Sequence, residues 1–264
     1  MNMLRAAARS VGLRRSHAAA VRLLVERHLI ARRSGAGEPR SRILCYHSTG
    51  TSSWGVNDIE PGRFRRQLQL ALDQGYSFVP AGTLANGDGR ERDLAITFDD
   101  GLSSVAQNAA PILRELNIPW TMFVVSEWAD GKHDFGRDVM LGWREIERIA
   151  AEGTEIGSHS ATHADFRHLD PESTAFELET SMETIERRTG IRAKSFAIPF
   201  GHAVNWSPEA QRAATAAGYR TIYAQAEDTR PPGTVARTFV TRFDSDRIFT
   251  ALLAGAFDGW EEWL

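Results

Sequence analysis

From residue 42 onward, the sequence repeats one pattern: a short apolar run, a polar loop and a helical stretch that often ends at a glycine. The apolar runs begin at residues 43, 94, 120, 155, 195 and 220, with a further strand predicted over residues 239–243. Helical stretches are predicted over 61–74, 143–152, 171–189, 208–217 and 248–253. Strands that alternate with helices form right-handed crossovers in a parallel sheet covered on both faces. About seven such units favour an α/β barrel, or an incomplete one, over an open sheet.

The composition excludes several classes of protein. The single cysteine, Cys45, rules out a disulfide scaffold, a cysteine-based zinc finger and an iron–sulfur cluster. No apolar run reaches the length of a membrane-spanning helix, so we predict no transmembrane segment. A net charge of −3 argues against nucleic acid as a partner. Glycine-rich nucleotide-binding motifs are absent from the sequence, so a nucleotide cofactor is not predicted.

The positive charge is concentrated at the N-terminus. Residues 1–42 contain ten arginines and two glutamates, a net charge of +8, which leaves −11 for the rest of the chain. We therefore divide the chain into a basic extension, residues 1–40, and a main domain, residues 41–264. The extension could be an organellar transit peptide, a segment drawn to anionic lipid, a helix packed on the domain, or a partly ordered tail. Arginines interrupt any secretory signal, which favours a cytoplasmic protein, with peripheral membrane contact as one alternative.

Polar side chains follow three of the predicted strands. The segment Thr-Phe-Asp-Asp-Gly at 97–101 places two adjacent carboxylates, which repel each other unless a cation or a shared proton intervenes. The segment Gly-Ser-His-Ser-Ala-Thr-His at 157–163 carries His159 and His163, whose spacing predicts one helical face and one shared ion. A Pro-Phe-Gly turn at 199–201 ends the third strand. The carboxyl ends of barrel strands meet at one rim, so we expect these segments to lie together.

Together these side chains suit metal-assisted hydrolysis of a carbonyl compound. Two histidines and one aspartate leave open positions on a divalent ion for water and substrate. Such a set suits Zn²⁺, while Co²⁺, Ni²⁺ and Mn²⁺ also fit. The second aspartate is then free to act as a base toward a water whose pKa the ion lowers.

These motifs resemble the first three motifs of the polysaccharide deacetylases, carbohydrate esterase family four, in both order and spacing. The resemblance extends from about residue 43 to residue 223. It implies a distorted or incomplete (β/α)7 barrel and metal-dependent removal of N-acetyl groups from amino sugars. By position, it implies Asp100, His159 and His163 as metal ligands and Asp99 as the general base. It also implies that the backbone N–H of Phe200 helps to hold the oxyanion.

Two departures from the family pattern concern catalysis. Ala197 stands where the family has an arginine that orients the base, and the last histidine of the chain is His202, well before the C-terminus. The segment Leu-Cys-Tyr-His at 44–47 resembles the strand end of biofilm-polysaccharide deacetylases, in which an N-terminal strand supplies the acid histidine. We therefore predict His47 as the catalytic acid, with His202 as the alternative, because His202 is expected to point away from the rim.

The sequence thus predicts an enzyme that deacetylates an N-acetylated sugar in a polysaccharide, an oligosaccharide or a glycolipid. One alternative is hydrolysis of another non-peptide C–N bond, in a formamide or a ureide, on the same fold. A second alternative is a carbohydrate-binding pseudoenzyme, which the two departures suggest. Zinc is the predicted cofactor, and the predicted partner is the carbohydrate substrate.

Overall fold

Ten short strands, rich in apolar and β-branched residues, are present in the computed structural model, which describes residues 15–33, 39–136 and 138–260. In chain order they are β1 (Arg42–Tyr46), β2 (Ser48–Thr49), β3 (Asp58–Ile59), β4 (Ser77–Phe78), β5 (Asp93–Phe98), β6 (Trp120–Val124), β7 (Glu155–Ser158), β8 (Ser195–Ala197), β9 (Thr221–Gln225) and β10 (Val235–Phe239). The helices are α1 (Arg15–Arg33), α2 (Pro61–Asp73), α3 (Ala81–Ala85), α4 (Ala110–Glu115), α5 (Ser126–Ala129), α6 (Trp143–Ala151), α7 (Pro171–Thr189), α8 (Pro208–Ala217) and α9 (Asp246–Leu253).

The main sheet closes on itself through β1. This strand pairs in parallel with β5 on one side and with β10 on the other. The ring then runs β1, β10, β9, β8, β7, β6 and β5, with every pairing parallel, while β4 extends the start of β5. Seven strands therefore form a closed parallel barrel with helices around it, which confirms the predicted (β/α)7 fold. In a parallel barrel all seven strands direct their carboxyl ends to the same rim.

The helices begin and end where the sequence supplies caps. Asp170 accepts a hydrogen bond from the backbone N–H of Ser173 at the start of α7, and Pro171 occupies its first turn. Gly190 ends the same helix in the left-handed conformation, with φ of 73°. The side chain of Ser207 caps α8 in the same way as Asp170 caps α7. These signals are the reason that the predicted bounds of both helices agree with the structure.

The strand predicted over residues 239–243 is wrong. The last barrel strand is β10, which ends at Phe239, and the residues after it turn toward α9. The error has a physical cause: β10 carries the fully buried Arg237, and a charged residue disrupts the apolar pattern that marks a buried strand. The residues after Arg237 are more apolar, and for this reason the strand was predicted over 239–243, four residues too late.

The barrel interior is packed with side chains of unequal size. Ile43, Ala95, Phe123, Ala197 and Tyr223 form one buried cluster there, while a larger cluster lies between the strands and the helices. Gly157 is required on β7, because a Cβ at this position would lie 2.5 Å from the Phe123 ring. This filled interior makes the rim, rather than the barrel axis, the place for a cavity.

Helix α1 covers one side of the barrel. It packs against α9, and its Ala31 joins the larger hydrophobic cluster. Within the described ranges, none of the helices combines the length and hydropathy that a membrane crossing requires.

Candidate active site

The carboxyl ends of β1, β5, β7, β8, β9 and β10 surround a cavity of about 230 Å³. All six side chains or turns predicted from the sequence contribute to its lining. The lining residues are His47, Asn57, Asp99, Asp100, His159, His163, Phe200, Gly201, His202, Gln225 and Arg237. The closure of the barrel therefore brings together residues that are far apart in the chain.

Three of these residues could hold a cation. The Oδ1 atom of Asp100 lies 3.6 Å from Nε2 of His159 and 3.6 Å from Nε2 of His163. All three candidate ligand atoms lie within 4.8 Å of one another, and Oδ1 of Asp100 is buried without a hydrogen-bond partner. A buried carboxylate oxygen without a donor is unfavourable unless a cation completes it. The donor set fits a divalent metal ion such as zinc.

The two histidines do not share a helix, contrary to the sequence-based expectation. Residues 159–163 form a loop in which Ser160 and His163 have left-handed backbone angles, with φ of 71° and 65°. The imidazoles converge because this loop turns back on itself, and their ring centroids are 4.9 Å apart. Spacing alone could not distinguish this turn from a helical face, since both bring side chains four residues apart into contact.

Glu177, on α7, holds that loop in place. Its carboxylate accepts hydrogen bonds from the backbone N–H groups of Ala161 and Thr162, both at 2.9 Å, and from the Thr162 hydroxyl at 2.6 Å. The side chain is buried, so these bonds are sheltered from water. No sequence signal pointed to Glu177, because an acidic residue inside a helix resembles an ordinary surface position.

The orientation and charge of the two imidazoles suit them as ligands. Nδ1 of His159 donates a hydrogen bond to the Ala197 carbonyl oxygen at 2.8 Å, which leaves the Nε2 lone pair directed to the cavity. Burial lowers the pKa of His159 to about 3 and that of His163 to about 4. Both rings are therefore neutral at pH 7, the form that binds metal.

The two adjacent carboxylates have opposite environments. Burial opposes ionisation of Asp99, but the Arg237 guanidinium overcomes this effect and holds the pKa of Asp99 well below its usual range. Burial, aided by repulsion from Asp99, raises the pKa of Asp100 to about 6. Asp99 is thus ionised and paired within the protein, whereas Asp100 lacks a cationic side chain of its own.

Arg237 is the site residue that sequence reasoning missed. Its guanidinium binds Asp99 through two parallel hydrogen bonds, Nη1 to Oδ1 at 2.6 Å and Nη2 to Oδ2 at 2.7 Å. The same group lies 5.1 Å from the centroid of the Phe123 ring. Ala197, where the resembling family has its arginine, is fully buried in the barrel interior. An arginine from β10 thus contacts the aspartate that the sequence left without a partner.

His47 lies on the same side of the cavity as Asp99. A ring nitrogen of His47, the Cys45 sulfur and an Asp99 carboxylate oxygen lie within 4.8 Å of one another. The His47 ring packs edge-on against Phe239, with centroids 5.5 Å apart, and its Nδ1 is buried without a hydrogen-bond partner. Cys45 is fully buried, and burial raises the pKa of its thiol well above the usual range.

The expectation that His202 points away from the rim is wrong. His202 is buried and lines the same cavity as His47. The turn at residues 199–201 explains the difference: Phe200 and Gly201 both have positive φ, of 65° and 74°, and reverse the chain toward the cavity. A Cβ on Gly201 would lie 2.7 Å from the Gln225 side chain, so this turn requires glycine.

Backbone strain is concentrated at the site. Asp100, Ser160, His163 and Phe200 are four non-glycine residues with φ between 65° and 71°. Each such conformation costs on the order of 1–3 kcal/mol and persists only where surrounding contacts enforce it. Three of the four, Asp100, His163 and Phe200, belong to the predicted site. Strained backbone of this kind is concentrated at functional sites in proteins.

Aromatic side chains form one wall above Asp100. The Trp54 indole N–H donates a hydrogen bond to Oδ2 of Asp100 at 3.2 Å, and the Trp128 ring stacks on His163 at 5.2 Å between centroids. Phe135 lies between the two indoles, at 5.1 and 4.8 Å, and is 42% exposed. Trp206, by contrast, is buried in a separate hydrophobic cluster.

Comparison with known proteins identifies sequence relatives. A family model described as polysaccharide deacetylase matches residues 86–222, just over half of the chain. YxkH of Bacillus subtilis (strain 168), which is provisionally named a polysaccharide deacetylase, is 26% identical over 200 residues, which cover 74% of this chain and 66% of that protein. A chitin deacetylase of Pestalotiopsis sp is 29% identical over 117 residues, 43% of this chain and 37% of that protein. The chain thus spans less than two thirds of the length of either relative.

Solved structures share the fold. The Streptococcus pyogenes deacetylase PplD in complex with acetate superposes with a TM-score of 0.70 at 18% identity, over 81% of this chain and 99% of that one. IcaB from Ammonifex degensii superposes with a TM-score of 0.69 at 22% identity, over 83% and 98% of the two chains. At these identities, the likeness establishes a common barrel.

Proposed function

Because the chain belongs to the polysaccharide deacetylase family, we propose that it is a metal-dependent hydrolase that removes N-acetyl groups from amino sugars. The observation that supports this proposal best is the division of labour between two adjacent carboxylates. Asp100 faces two neutral imidazoles, while Asp99 is bound by Arg237 in the same cavity. A metal-dependent hydrolase needs this arrangement, in which one carboxylate binds the ion and the other accepts a proton as general base.

We assign the metal to Asp100, His159 and His163. A divalent ion bound there would polarise the acetyl carbonyl and activate a water molecule. Zinc suits two imidazoles and one carboxylate, and cobalt, nickel and manganese are the other candidates. The hydrogen bond from His159 to the Ala197 carbonyl fixes which imidazole nitrogen is offered.

Asp99 acts as the general base in this proposal. The ion pair with Arg237 keeps Asp99 ionised at the cost of basicity, so Asp99 could accept the proton only from a water whose own pKa the metal would lower. The two hydrogen bonds from Arg237 fix the plane of the carboxylate and limit its rotation. They also occupy one lone pair on each oxygen, and the Cys45 thiol donates a further hydrogen bond to Oδ2, so Oδ1 would be the oxygen that receives the proton.

The leaving amine requires an acid, and we assign that role to His47. The protonated imidazole would donate to the amine nitrogen as the C–N bond breaks. His47 lies beside Asp99, whereas His202, the alternative, follows the turn that carries Phe200. The backbone N–H of Phe200 would donate to the oxyanion, and the left-handed conformation of that residue sets its direction.

The proposed substrate is an N-acetylhexosamine within a polysaccharide, an oligosaccharide or a glycolipid. Trp54, Trp128 and Phe135 form an aromatic wall beside the proposed metal ligands, and such a surface can stack on a sugar ring. Chitin deacetylase, one of the relatives, acts by its name on a polymer of this class.

Acetate release from defined sugars tests this function. The full chain would be freed of metal with a chelator, then supplied separately with zinc, cobalt, nickel or manganese. We expect restored acetate release, with matching loss of acetyl mass, on N-acetylglucosamine oligomers or on lipid-linked or nucleotide-linked sugars. Asp100→Ala should abolish it, and His168→Ala should not, because His168 lies outside the cavity on an exposed turn.

Three results would contradict the proposal. Full activity without metal would exclude the mechanism. Release of formate or cleavage of a ureide, with no acetate from any sugar, would assign the site to another C–N bond. Saturable glycan binding without turnover under every metal would make the protein a carbohydrate-binding pseudoenzyme.

A further inference from the structure

Helix α1 exposes aliphatic side chains as well as burying them: Leu23 and Ala31 face the barrel together with Arg27, while three larger aliphatic residues face outward. An amphipathic helix buries its aliphatic side chains and exposes its arginines. In α1 the fully buried side chain at the centre of the packed face is Arg27. Val21, Val25 and Leu29, one helical turn apart, are 58%, 49% and 44% exposed. They are three of the seven large apolar residues that are exposed in the described part of the chain.

The buried face of α1 is fixed by polar contacts. Arg27 forms an ion pair with Asp244 through both of its carboxylate oxygens and donates to the Phe239 carbonyl oxygen at 3.3 Å. Its guanidinium also lies 4.2 Å from the Phe257 ring centroid and 4.9 Å from that of Trp260. A buried arginine with this many partners cannot rotate to the surface without leaving Asp244 uncompensated. The orientation that exposes the aliphatic stripe is therefore enforced.

The exposed stripe lies among positive charges. Beside Val21, Val25 and Leu29, the outer face of α1 presents the exposed pair Arg32 and Arg33. Outside the Arg27–Asp244 pair, the helix contains four arginines and one glutamate, and that glutamate, Glu26, is paired with Arg22 at 2.6 Å. Aliphatic side chains flanked by arginines on one helical face are typical of helices that lie in the interface of an anionic bilayer.

We propose that the outer face of α1 binds an anionic lipid surface, with Val21, Val25 and Leu29 inserted between headgroups and the flanking arginines against lipid phosphates. Charge decides between lipid and a second copy of this chain as the occupant. A second copy would present the same arginines to each other around a two-fold axis, and like charges oppose such pairing. An anionic membrane both complements the charge and accepts the aliphatic stripe.

The position of α1 relates this surface to the cavity. Arg27 contacts Phe239 and Asp244, which lie at and after the carboxyl end of β10. The same rim carries Asp99 and His47, and the Phe239 ring packs against His47. Helix α1 therefore lies beside the catalytic rim, so a chain bound to lipid through α1 would have its active site close to the membrane.

Vesicle sedimentation tests the proposal with the full chain. Vesicles of phosphatidylcholine alone would be compared with vesicles that contain about 30% phosphatidylglycerol, at low and high salt. We expect binding to the anionic vesicles only, reduced by salt. The triple variant Val21→Ser, Val25→Ser, Leu29→Ser should partition on the order of tenfold more weakly. Arg32→Gln and Arg33→Gln should each weaken partitioning about fivefold.

A matched control uses apolar residues that are equally exposed elsewhere. Phe176→Ser, Ile191→Ser and Val204→Ser remove three exposed side chains from other parts of the surface, so partitioning should not change. Because all six positions are exposed, the circular dichroism spectra of both triple variants should match that of the wild type. Acetate release from a soluble sugar is a separate readout, so failure here leaves the proposed function intact.

Three results would overturn the proposal. Two of them are the absence of binding to anionic vesicles at low salt and equal binding by the wild type and the α1 triple variant. The third is a concentration-dependent dimer in sedimentation velocity that the α1 triple variant abolishes, without vesicle binding by the wild type. That outcome would assign the stripe to a second copy of the chain.

Discussion

The two sides of the cavity are stabilised in different ways. On one side, which we call the metal flank, Asp100, His159 and His163 face one another without a protein cation among them. On the other, which we call the arginine flank, Asp99 and Arg237 form a buried ion pair beside His47. Asp99 and Asp100 are consecutive residues, yet they belong to different flanks because the chain leaves β5 at Phe98 and turns at Asp100, whose φ is 71°.

The flanks also differ in how the chain assembles them. The metal flank depends on local turns after β5 and β7, with left-handed backbone at Asp100 and His163. The arginine flank forms only when β1 closes the ring between β5 and β10, which brings Arg237 to a residue 138 positions earlier. The metal ligands are therefore specified by short sequence motifs. The position of Asp99, the proposed base, depends instead on closure of the barrel.

The largest expected effect is the loss of the metal flank. His159→Ala or His163→Ala should weaken zinc binding roughly 10³-fold, because each removes one of three ligands. Metal content by mass spectrometry and activity should fall together. His168→Ala serves as the control. If neither His159→Ala nor His163→Ala lowers the metal content, the ion is bound elsewhere.

The next effect concerns the acid on the arginine flank. His47→Ala should retain the metal and lose roughly 10²–10⁴ in kcat on the amide, since the leaving amine needs a proton. The loss should be smaller on an activated ester, whose leaving group needs none. His202→Ala should be milder on both substrates. The reverse ranking of the two histidines on the amide would transfer the role to His202.

Removing the counter-charge of Asp99 should affect stability as well as rate. Arg237→Met leaves a buried carboxylate without its partner and should lower the free energy of unfolding by about 3–5 kcal/mol. Arg237→Lys keeps the charge without the paired hydrogen bonds, so it should recover most of the stability but only part of kcat. Chemical denaturation and kinetics measure the two quantities.

A surface arginine provides the comparison for Arg237. Arg192→Met removes an exposed ion pair with Glu186 and should leave the denaturation midpoint nearly unchanged. Equal destabilisation by the substitutions at Arg237 and Arg192 would show that the buried pair has no special role on this flank.

The smallest effect is expected from the support of the metal flank. Glu177→Gln removes the charge that binds the 159–163 loop, so metal affinity should fall about 10–100-fold while kcat at saturating metal is largely retained. Glu179→Gln, an exposed position on the same helix, is the control. If kcat at saturating metal also falls for Glu177→Gln, then the loop does more than hold the ligands.

The sequence predicted most of the fold because its signals are local. The Asp170 cap and the Gly190 terminator define α7, and alternation of strands and helices indicates the barrel. It could not locate β10, because Arg237 interrupts the apolar pattern and its reason for being buried is a partner on another strand. The spacing of apolar residues along the sequence gives no information about an ion pair between two strands.

The site shows the same division. The Asp-Asp and His-Ser-Ala-Thr-His motifs were visible in the sequence, and the structure brings their residues into one cavity. The sequence did not indicate the turn that stands in place of the predicted helical face at His159 and His163, because Glu177, on the distant helix α7, stabilises it. Contacts between distant residues, not residue types, account for what sequence reasoning missed.

The separate roles of Asp99 and Asp100 are the central claim about this site, and Asp99→Asn tests them most directly. Asparagine retains an oxygen that can accept a hydrogen bond from Arg237, but it is not a base. Metal content and acetate release would be measured on the same samples of wild type, Asp99→Asn and Asp100→Asn. We expect Asp99→Asn to bind about one metal ion per chain and to lose roughly 10²–10⁴ in kcat, whereas Asp100→Asn loses metal and activity together. Loss of metal from Asp99→Asn in proportion to its activity would show that both carboxylates serve the ion, and would contradict the account.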